Sequence, residues 1–167
     1  MTIPRISANL PGLFRLGNRT AGVGALIRAG DKANSERAWQ TAEIAYANAL
    51  KKDPGLAHIW VQYGHALKEQ GRLRPAEEAY RRALALDSKV ADTHLQLGGV
   101  LKLQKRPAEA VNAYRSAFRL DPDLTVAFDE LRGMGVQPED LESTVEIEFV
   151  NRLYGLDIKN PGKTLGR

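Results

Sequence analysis

The stretch that decides the fold is "PAEEAYRRALALDS", residues 75–88. It is echoed upstream by "TAEIAYANALKKDP" (41–54) and downstream by "EAVNAYRSAFRLDP" (109–122), at one constant offset. Aligned at that period, Ala42, Ala76 and Ala110 share one column, and Ala45, Ala79 and Ala113 the next. Tyr46, Tyr80 and Tyr114 form a third column, Ala49, Ala83 and Ala117 a fourth, and Asp53, Asp87 and Asp121 a fifth. Self-similarity at a fixed period outranks any local signal. Within each copy the small and aromatic residues recur at intervals of three and four, among strong helix formers, so each copy is predicted to be a helix with a buried alanine stripe. Alanine on a packing face lets helix axes approach closely, and the tyrosine is expected to fill the gap toward the next helix. Asp-Pro at 53–54 and 121–122 ends two of these helices, because the residue before proline is pushed out of the α region. Ser88 stands in place of proline in the middle copy.

A second apolar-periodic segment precedes each of these helices: "AHIWVQYGHALKEQG" (57–71), "ADTHLQLGGVLKLQK" (91–105) and the weaker "VGALIRAGDKANSE" (23–36). Trp60, Tyr63, Gly64 and Leu67 correspond to His94, Leu97, Gly98 and Leu101, and to Leu26, Ala29, Gly30 and Ala33. Glycine inside a helix costs about 1 kcal/mol against alanine, so three glycines at one period point to close helix approach. Each unit is expected to be helix, turn, helix.

These residues resemble tetratricopeptide repeats (TPRs) over roughly residues 23–135: the period of 34, the Trp/Leu–x–x–Leu/Tyr–Gly opening, and the Ala–x–x–x–Tyr–x–x–Ala run before Asp-Pro. The resemblance implies an all-α, right-handed superhelical solenoid of three hairpins. In such a solenoid the first helices line a concave face, and capping elements cover the ends. The expected organisation is an N-terminal arm at 1–22, a degenerate first repeat at 23–56, and full repeats at 57–90 and 91–124. A partial fourth repeat with a capping helix follows at 125–156, then a basic tail at 157–167. "QPEDLESTVEIEFVNRLYGL" (137–156) supplies the cap, with Pro138 in a first turn and Leu141, Val145, Phe149 and Leu153 in a stripe.

Composition agrees with a folded chain. At 167 residues, 43% hydrophobic and 26% charged, it is ordinary for a globular protein. The net charge of +4 is unevenly spread: residues 1–33 carry five basic and one acidic residue, and 125–156 carry two and seven. There is no cysteine, which excludes disulfide and thiolate chemistry. Pro4, Arg5, Pro11 and Arg15 interrupt the N-terminal apolar residues, so neither a signal core nor a membrane span is expected, and the chain is read as cytoplasmic.

Catalytic chemistry is not signalled. His58 and His65 lie seven positions apart on one helix, about 10.5 Å along its axis, too far to ligate one metal. "NPGKTLG" (160–166) lacks the upstream glycine and following helix of a phosphate loop. Glu77–Glu78 and Arg81–Arg82 are spaced for i,i+4 ion pairs on a solvated outer face. The chain is therefore expected not to be an enzyme and to take no metal or cofactor.

If first helices line a groove, the residues that face it are Arg28 and Asp31 in the first copy. In the second they are His58, Gln62, His65 and Lys68, and in the third Asp92, Gln96 and Lys102. Gln62 and Gln96 share a column where amides could hydrogen-bond an extended peptide. The expected function is a scaffold or adaptor that binds a protein or peptide ligand in this groove. The family's chaperone-tail clamp uses groove lysine and asparagine. The corresponding positions here are Ile27, Asp31, Gln62, Asp92 and Gln96, which argues against that clamp. "ALKEQGRL…AEEAYRRALALD" is similar to repeats ahead of catalytic domains in bacterial glycosyltransferases, so the alternative is a substrate-recruiting segment of such an enzyme. Homodimer formation through repeat edges or the arm is a further expected partnership. Nucleic acid is not expected, because Arg72, Arg74, Arg81, Arg82, Lys102, Lys105 and Arg106 alternate with glutamates and lack an aromatic platform. A membrane partner is not expected either, since Pro4 and Pro11 break the amphipathic arm.

Overall fold

The computed structural model describes residues 22–136 together with 148, 151 and 152. All of the expected arm at 1–22 except Gly22, most of the capping segment and the tail lie outside the described residues. Seven helices are described: Val23–Ser35 (α1), Trp39–Lys52 (α2), Ala57–Glu69 (α3), Leu73–Leu86 (α4), Ala91–Leu103 (α5), Pro107–Leu120 (α6) and Thr125–Gly133 (α7). First helices start at 23, 57, 91 and 125, and second helices at 39, 73 and 107, so the sequence period of 34 is also the period of the backbone. Each helix packs on the next in the chain, and α3 also touches α5. The architecture is an all-α solenoid of stacked helix hairpins.

The alanine columns are the core. Ala42, Ala76 and Ala110 are fully buried, and so is every member of the Ala49, Ala83 and Ala117 column to within 2%. Tyr46, Tyr80 and Tyr114 occupy equivalent sites at 0%, 0% and 1% exposure. Two apolar clusters form, one around the first hairpin and one from α3 to α7, and Trp60 and Tyr63 pack against both. These two aromatic residues join the first hairpin to the rest of the stack.

The glycine column marks where the two helices of each hairpin meet closely. A Cβ on Gly30 would sit 2.4 Å from the ring of Tyr46, one on Gly98 2.6 Å from Tyr114, and one on Gly64 3.0 Å from Tyr80. What approaches each glycine is the tyrosine ring of its own hairpin, so the ring fills space toward the preceding helix, while Tyr46 also shares a core cluster with Ile59 and Ala66 of the next one. This sets a graded expectation. Gly98→Ala destabilises by about 1 kcal/mol, because overpacking outweighs the helix-propensity gain. Gly64→Ala, with looser contacts, comes out nearer neutral. Urea unfolding of the two variants followed by circular dichroism checks this, and equal stability gains in both would contradict the packing account.

The aspartate column is also more than a partner of proline. Asp53, Asp87 and Asp121 each cap the C-terminus of a second helix in an extended conformation. Each Oδ1 accepts the backbone N–H two positions on, from Gly55, Lys89 and Asp123, at 3.0, 3.0 and 3.1 Å. The aspartate carboxylate thus builds the turn in all three copies, with or without proline behind it. That is why Ser88 replaces proline without moving the boundary. Inside the hairpins a left-handed residue makes the turn: Arg37, Gly71 and Lys105, at φ 55°, 73° and 59°.

Successive repeats are locked by polar side chains. Glu43 on α2 accepts hydrogen bonds from Gln70 Nε2 (2.9 Å) and Arg72 (2.6 Å) in the next hairpin's turn. One period later Glu77 accepts from Gln104 Nε2 (2.9 Å) and Arg106 (2.6 Å), and from Arg81 on its own helix (2.9 Å). Glu77 is therefore part of a junction between repeats, not only of a solvated i,i+4 pair. Arg106 also forks onto Glu109, with both bonds at 2.7 Å.

Candidate functional site

The first helices carry a ladder of side chains at the column of Arg28, Gln62, Gln96 and Glu130. Lys68 Nζ on α3 donates to Gln96 Oε1 on α5 at 3.1 Å, and one period later Lys102 Nζ pairs with Glu130 on α7. Gln96 Nε2 also reaches Asp92 Oδ1 at 3.5 Å, a long contact. Gln96, Lys68 and Lys102 are thus cross-struts between first helices, while Gln62 is half-buried and faces a hollow. Spacing along one helix does not disclose these ties, which run from one first helix to the next.

That hollow is a cleft of about 310 Å³ between the N-terminal turns of α3 and α5 and the C-terminal end of α4. It brings together three of the residues read from sequence: His58, Gln62 and Asp92. Sequence reasoning does not reach Asp87, Val90 and Thr93, which complete it from the α4–α5 loop and the buried side of α5. The other expected groove residues lie apart from the cleft. Arg28 is exposed on α1, and Lys68 and Lys102 are engaged as described. His65 is half-buried with its ring edge-on to Trp39, 5.6 Å between centroids. Burial, and then the Lys68 charge, hold its imidazole below the usual histidine range against the opposing pull of Glu69 and Asp92. Asp31 accepts the Tyr46 hydroxyl at 2.9 Å.

Two of the three tyrosine hydroxyls reach first-helix carboxylates, Tyr46 at Asp31 and Tyr114 at Glu130. Burial foremost, then the Glu130 charge and a hydrogen bond to Glu130, push the Tyr114 phenol up to about 12. Tyr80 Oη is buried without a hydrogen-bond partner among the described residues. His94, which stands in the Trp60 column, serves the loop. Its Nε2 lies 3.0 Å from Ser88 O, just as Trp60 Nε1 donates to Pro54 O at 2.9 Å.

A larger hollow of about 450 Å³ opens on the second-helix side, between α2 and α4, floored by Trp60 and Tyr63 and edged by Lys51, Glu78 and Arg82. It has aromatic surface but few converging polar groups, so the smaller cleft is the better-built site. Among the described residues no group of three or more His, Cys, Asp or Glu is placed to hold a metal ion. No described helix is long and apolar enough to cross a membrane.

Among curated proteins none matches the chain. A family model described as tetratricopeptide repeat matches residues 57–90 and 91–124. Among solved structures, the Arabidopsis OM64 TPR domain superposes with a TM-score of 0.66 at 24% identity, covering 71% of this chain and 97% of that one. The first TPR of Spaghetti (RPAP3), bound to the HSP90 peptide SRMEEVD, gives 0.66 at 20% identity, over 68% and 90% of the two chains. A crystal structure of MamA gives 0.68 at 20% identity, over 79% and 80%. At these identities the likeness is one of fold. The backbone and the buried columns agree with that fold, and residues 57–124 match the tetratricopeptide-repeat model as two repeats in series.

Proposed function

We propose that the chain is a non-catalytic scaffold that binds an extended protein or peptide segment along its first-helix face. The observation that carries this reading is the cleft at the α3–α5 junction, where His58, Gln62 and Asp92 converge between apolar walls. A rigid stack of helices presents such groups preorganised, so little ordering cost opposes binding. The TPR of Spaghetti, similar in fold, is bound to a peptide, which supports the same class of ligand here. Its peptide is acidic, whereas the positions that would receive an acidic tail in this chain include Asp31 and Asp92. The ligand proposed is thus a peptide or protein segment of different charge.

The test compares partner recovery from native lysate by the wild-type chain, by Gln62→Ala/Gln96→Ala, and by Lys51→Glu/Arg82→Glu in the second-helix hollow. The groove variant is expected to lose recovered partners at least about tenfold, equivalent to about 1.4 kcal/mol, while the other retains them. Recovery unchanged in the groove variant, or lost only in the second-helix variant, removes the assignment.

A further inference from the structure

We propose that the N-terminal arm, through Leu13 and Leu16, packs on the open edge of the first hairpin and covers the apolar half of that edge. This inference is independent of the groove reading. The edge carries a hollow of about 290 Å³, lined by Leu26 and Ala29 of α1 and Ile44 and Ala45 of α2, with Lys32 and Glu36 further along α1. Moved by one period, Leu26, Ala29, Ile44 and Ala45 become Trp60, Tyr63, Glu78 and Ala79, which line the larger hollow between α2 and α4. The two hollows are therefore the same place in successive repeats. At the later one a further wall is the C-terminal half of the preceding second helix, with Ala47, Leu50 and Lys51. At the earlier one no described helix stands in that position. Ile44 is accordingly 49% exposed, in a column that holds Glu78 and Asn112 in the later repeats. Ala29 is exposed as well, whereas Tyr63 and Leu97, its counterparts, are half-buried and buried.

What covers this face follows from the period. One period before Ala47, Leu50 and Lys51 stand Leu13, Leu16 and Gly17, so the arm carries two leucines in the register of the missing wall. The connection has the right length too. α2 passes to α3 across residues 53–56, and the same interval before α1, residues 19–22, joins the arm to the first hairpin. The register also sets how far the cover extends. Pro11 and Gly12 stand one period before Ala45 and Tyr46, and a proline there removes a helix hydrogen bond and restricts the residue ahead of it, so the wall does not continue past them. The part of the edge left over is the polar one. Lys32 takes the column in which Ala66 and Val100 are fully buried, yet its side chain is 76% exposed and pairs with Glu36 at 3.9 Å. An ammonium at that column belongs in water, while Ile44 and Ala29 gain by leaving it. The apolar and polar halves of the edge thus match the parts of the arm that can and cannot follow the repeat.

The chain has no cysteine, so a pair can be introduced cleanly. Leu16→Cys/Ile44→Cys and Leu16→Cys/Arg28→Cys, each in the full chain, are treated with a short bismaleimide, and the products are mapped by mass spectrometry. Arg28 is exposed on α1 and nearer to Leu16 along the sequence, so a loose arm links to it at least as fast as to Ile44. The Ile44 pair is expected to bridge within one chain at least about tenfold faster than the Arg28 pair, at a rate independent of protein concentration, as befits a tethered segment. Adding Leu13→Asp to the Ile44 pair is expected to bring its rate down to that of the Arg28 pair. Because Ile44 and Arg28 are both exposed, helicity by circular dichroism is expected to be unchanged in both pairs. Equal rates in the two pairs, or a rate unmoved by Leu13→Asp, overturn the inference by showing an arm that does not dock through its leucines. Bridged dimers that grow with concentration in place of the intramolecular product overturn it as well, and give the edge to a second copy of the chain.

Discussion

Tyr80→Ala lowers the stability of the chain by about 3–5 kcal/mol, the range for truncating a fully buried aromatic side chain. Its ring is 0% exposed and lies against Gly64, whose missing side chain exists to admit it. Removing the ring leaves a cavity bounded by a glycine, a surface that has nothing to relax into the gap. Since a domain's whole stability is about 5–15 kcal/mol, the variant is expected to melt far below the wild type or to lose its cooperative transition. Tyr80→Phe separates packing from polarity. Tyr80 Oη is buried and unpartnered among the described residues, so its removal is expected to be neutral or slightly stabilising. Tyr46→Phe deletes the hydrogen bond to Asp31. Losing a bond to a charged acceptor is expected to cost about 1.5 kcal/mol. Thermal and urea unfolding by circular dichroism reads all three. Equal costs for the two phenylalanine variants would mean that the hydroxyl environments of the tyrosines do not differ as described.

The three tyrosines also show what is legible in the sequence and what is not. Their burial, the alanine stripes and the helix–turn–helix unit follow from periodicity, because burying one helical face at each repeat forces the same residue types back at every period. The glycine column is harder to read. A small residue signals close approach without saying whether a backbone or a ring approaches, and the clue is the tyrosine that follows each glycine at the same offset in every copy. The aspartate column suggests a proline partnership, although Asp87 ahead of Ser88 already shows that the carboxylate recurs where proline does not. His58, Gln62 and Asp92 emerge from asking which first-helix positions lie between core columns. Asp87 and Val90 escape that question because they belong to a loop, where no helical period applies. Thr93 escapes it because its place in the helix pattern is a core position, and only packing shows that the residue borders a hollow. Arg28, Lys68 and Lys102 satisfy the same spacing rule as Gln62. Yet a rule for one helix face cannot tell a side chain open to a ligand from one already spent on the next helix.

Glu77 carries the second large expectation. Its side chain is only 12% exposed, and it gathers Arg81, Arg106 and Gln104 from two repeats. An exposed ion pair contributes about 0–1 kcal/mol, but a carboxylate shared among three donors at a shielded junction is worth more, so Glu77→Ala is expected to cost about 2 kcal/mol. Burial pushes the Glu77 carboxyl up, while the hydrogen bonds from Gln104, Arg81 and Arg106 and the Arg106 charge outweigh it and hold the group below its ordinary 4.5. A carboxylate depressed in the folded state stabilises the chain above the unfolded-state value, and that contribution is lost as the pH falls through the folded one. The stability gap between wild type and Glu77→Gln is therefore expected to be full at neutral pH and to close below about 4.5. It should also shrink less with added salt than the gap for the exposed Lys32–Glu36 pair, since a shielded charge is screened less. Denaturant unfolding of both chains between pH 7 and pH 3 measures it. A gap that stayed constant across that range would show that Glu77 holds the repeats together by its shape alone. In that case Gln104 and Arg106 would be bystanders to the stacking of the second full repeat on the first.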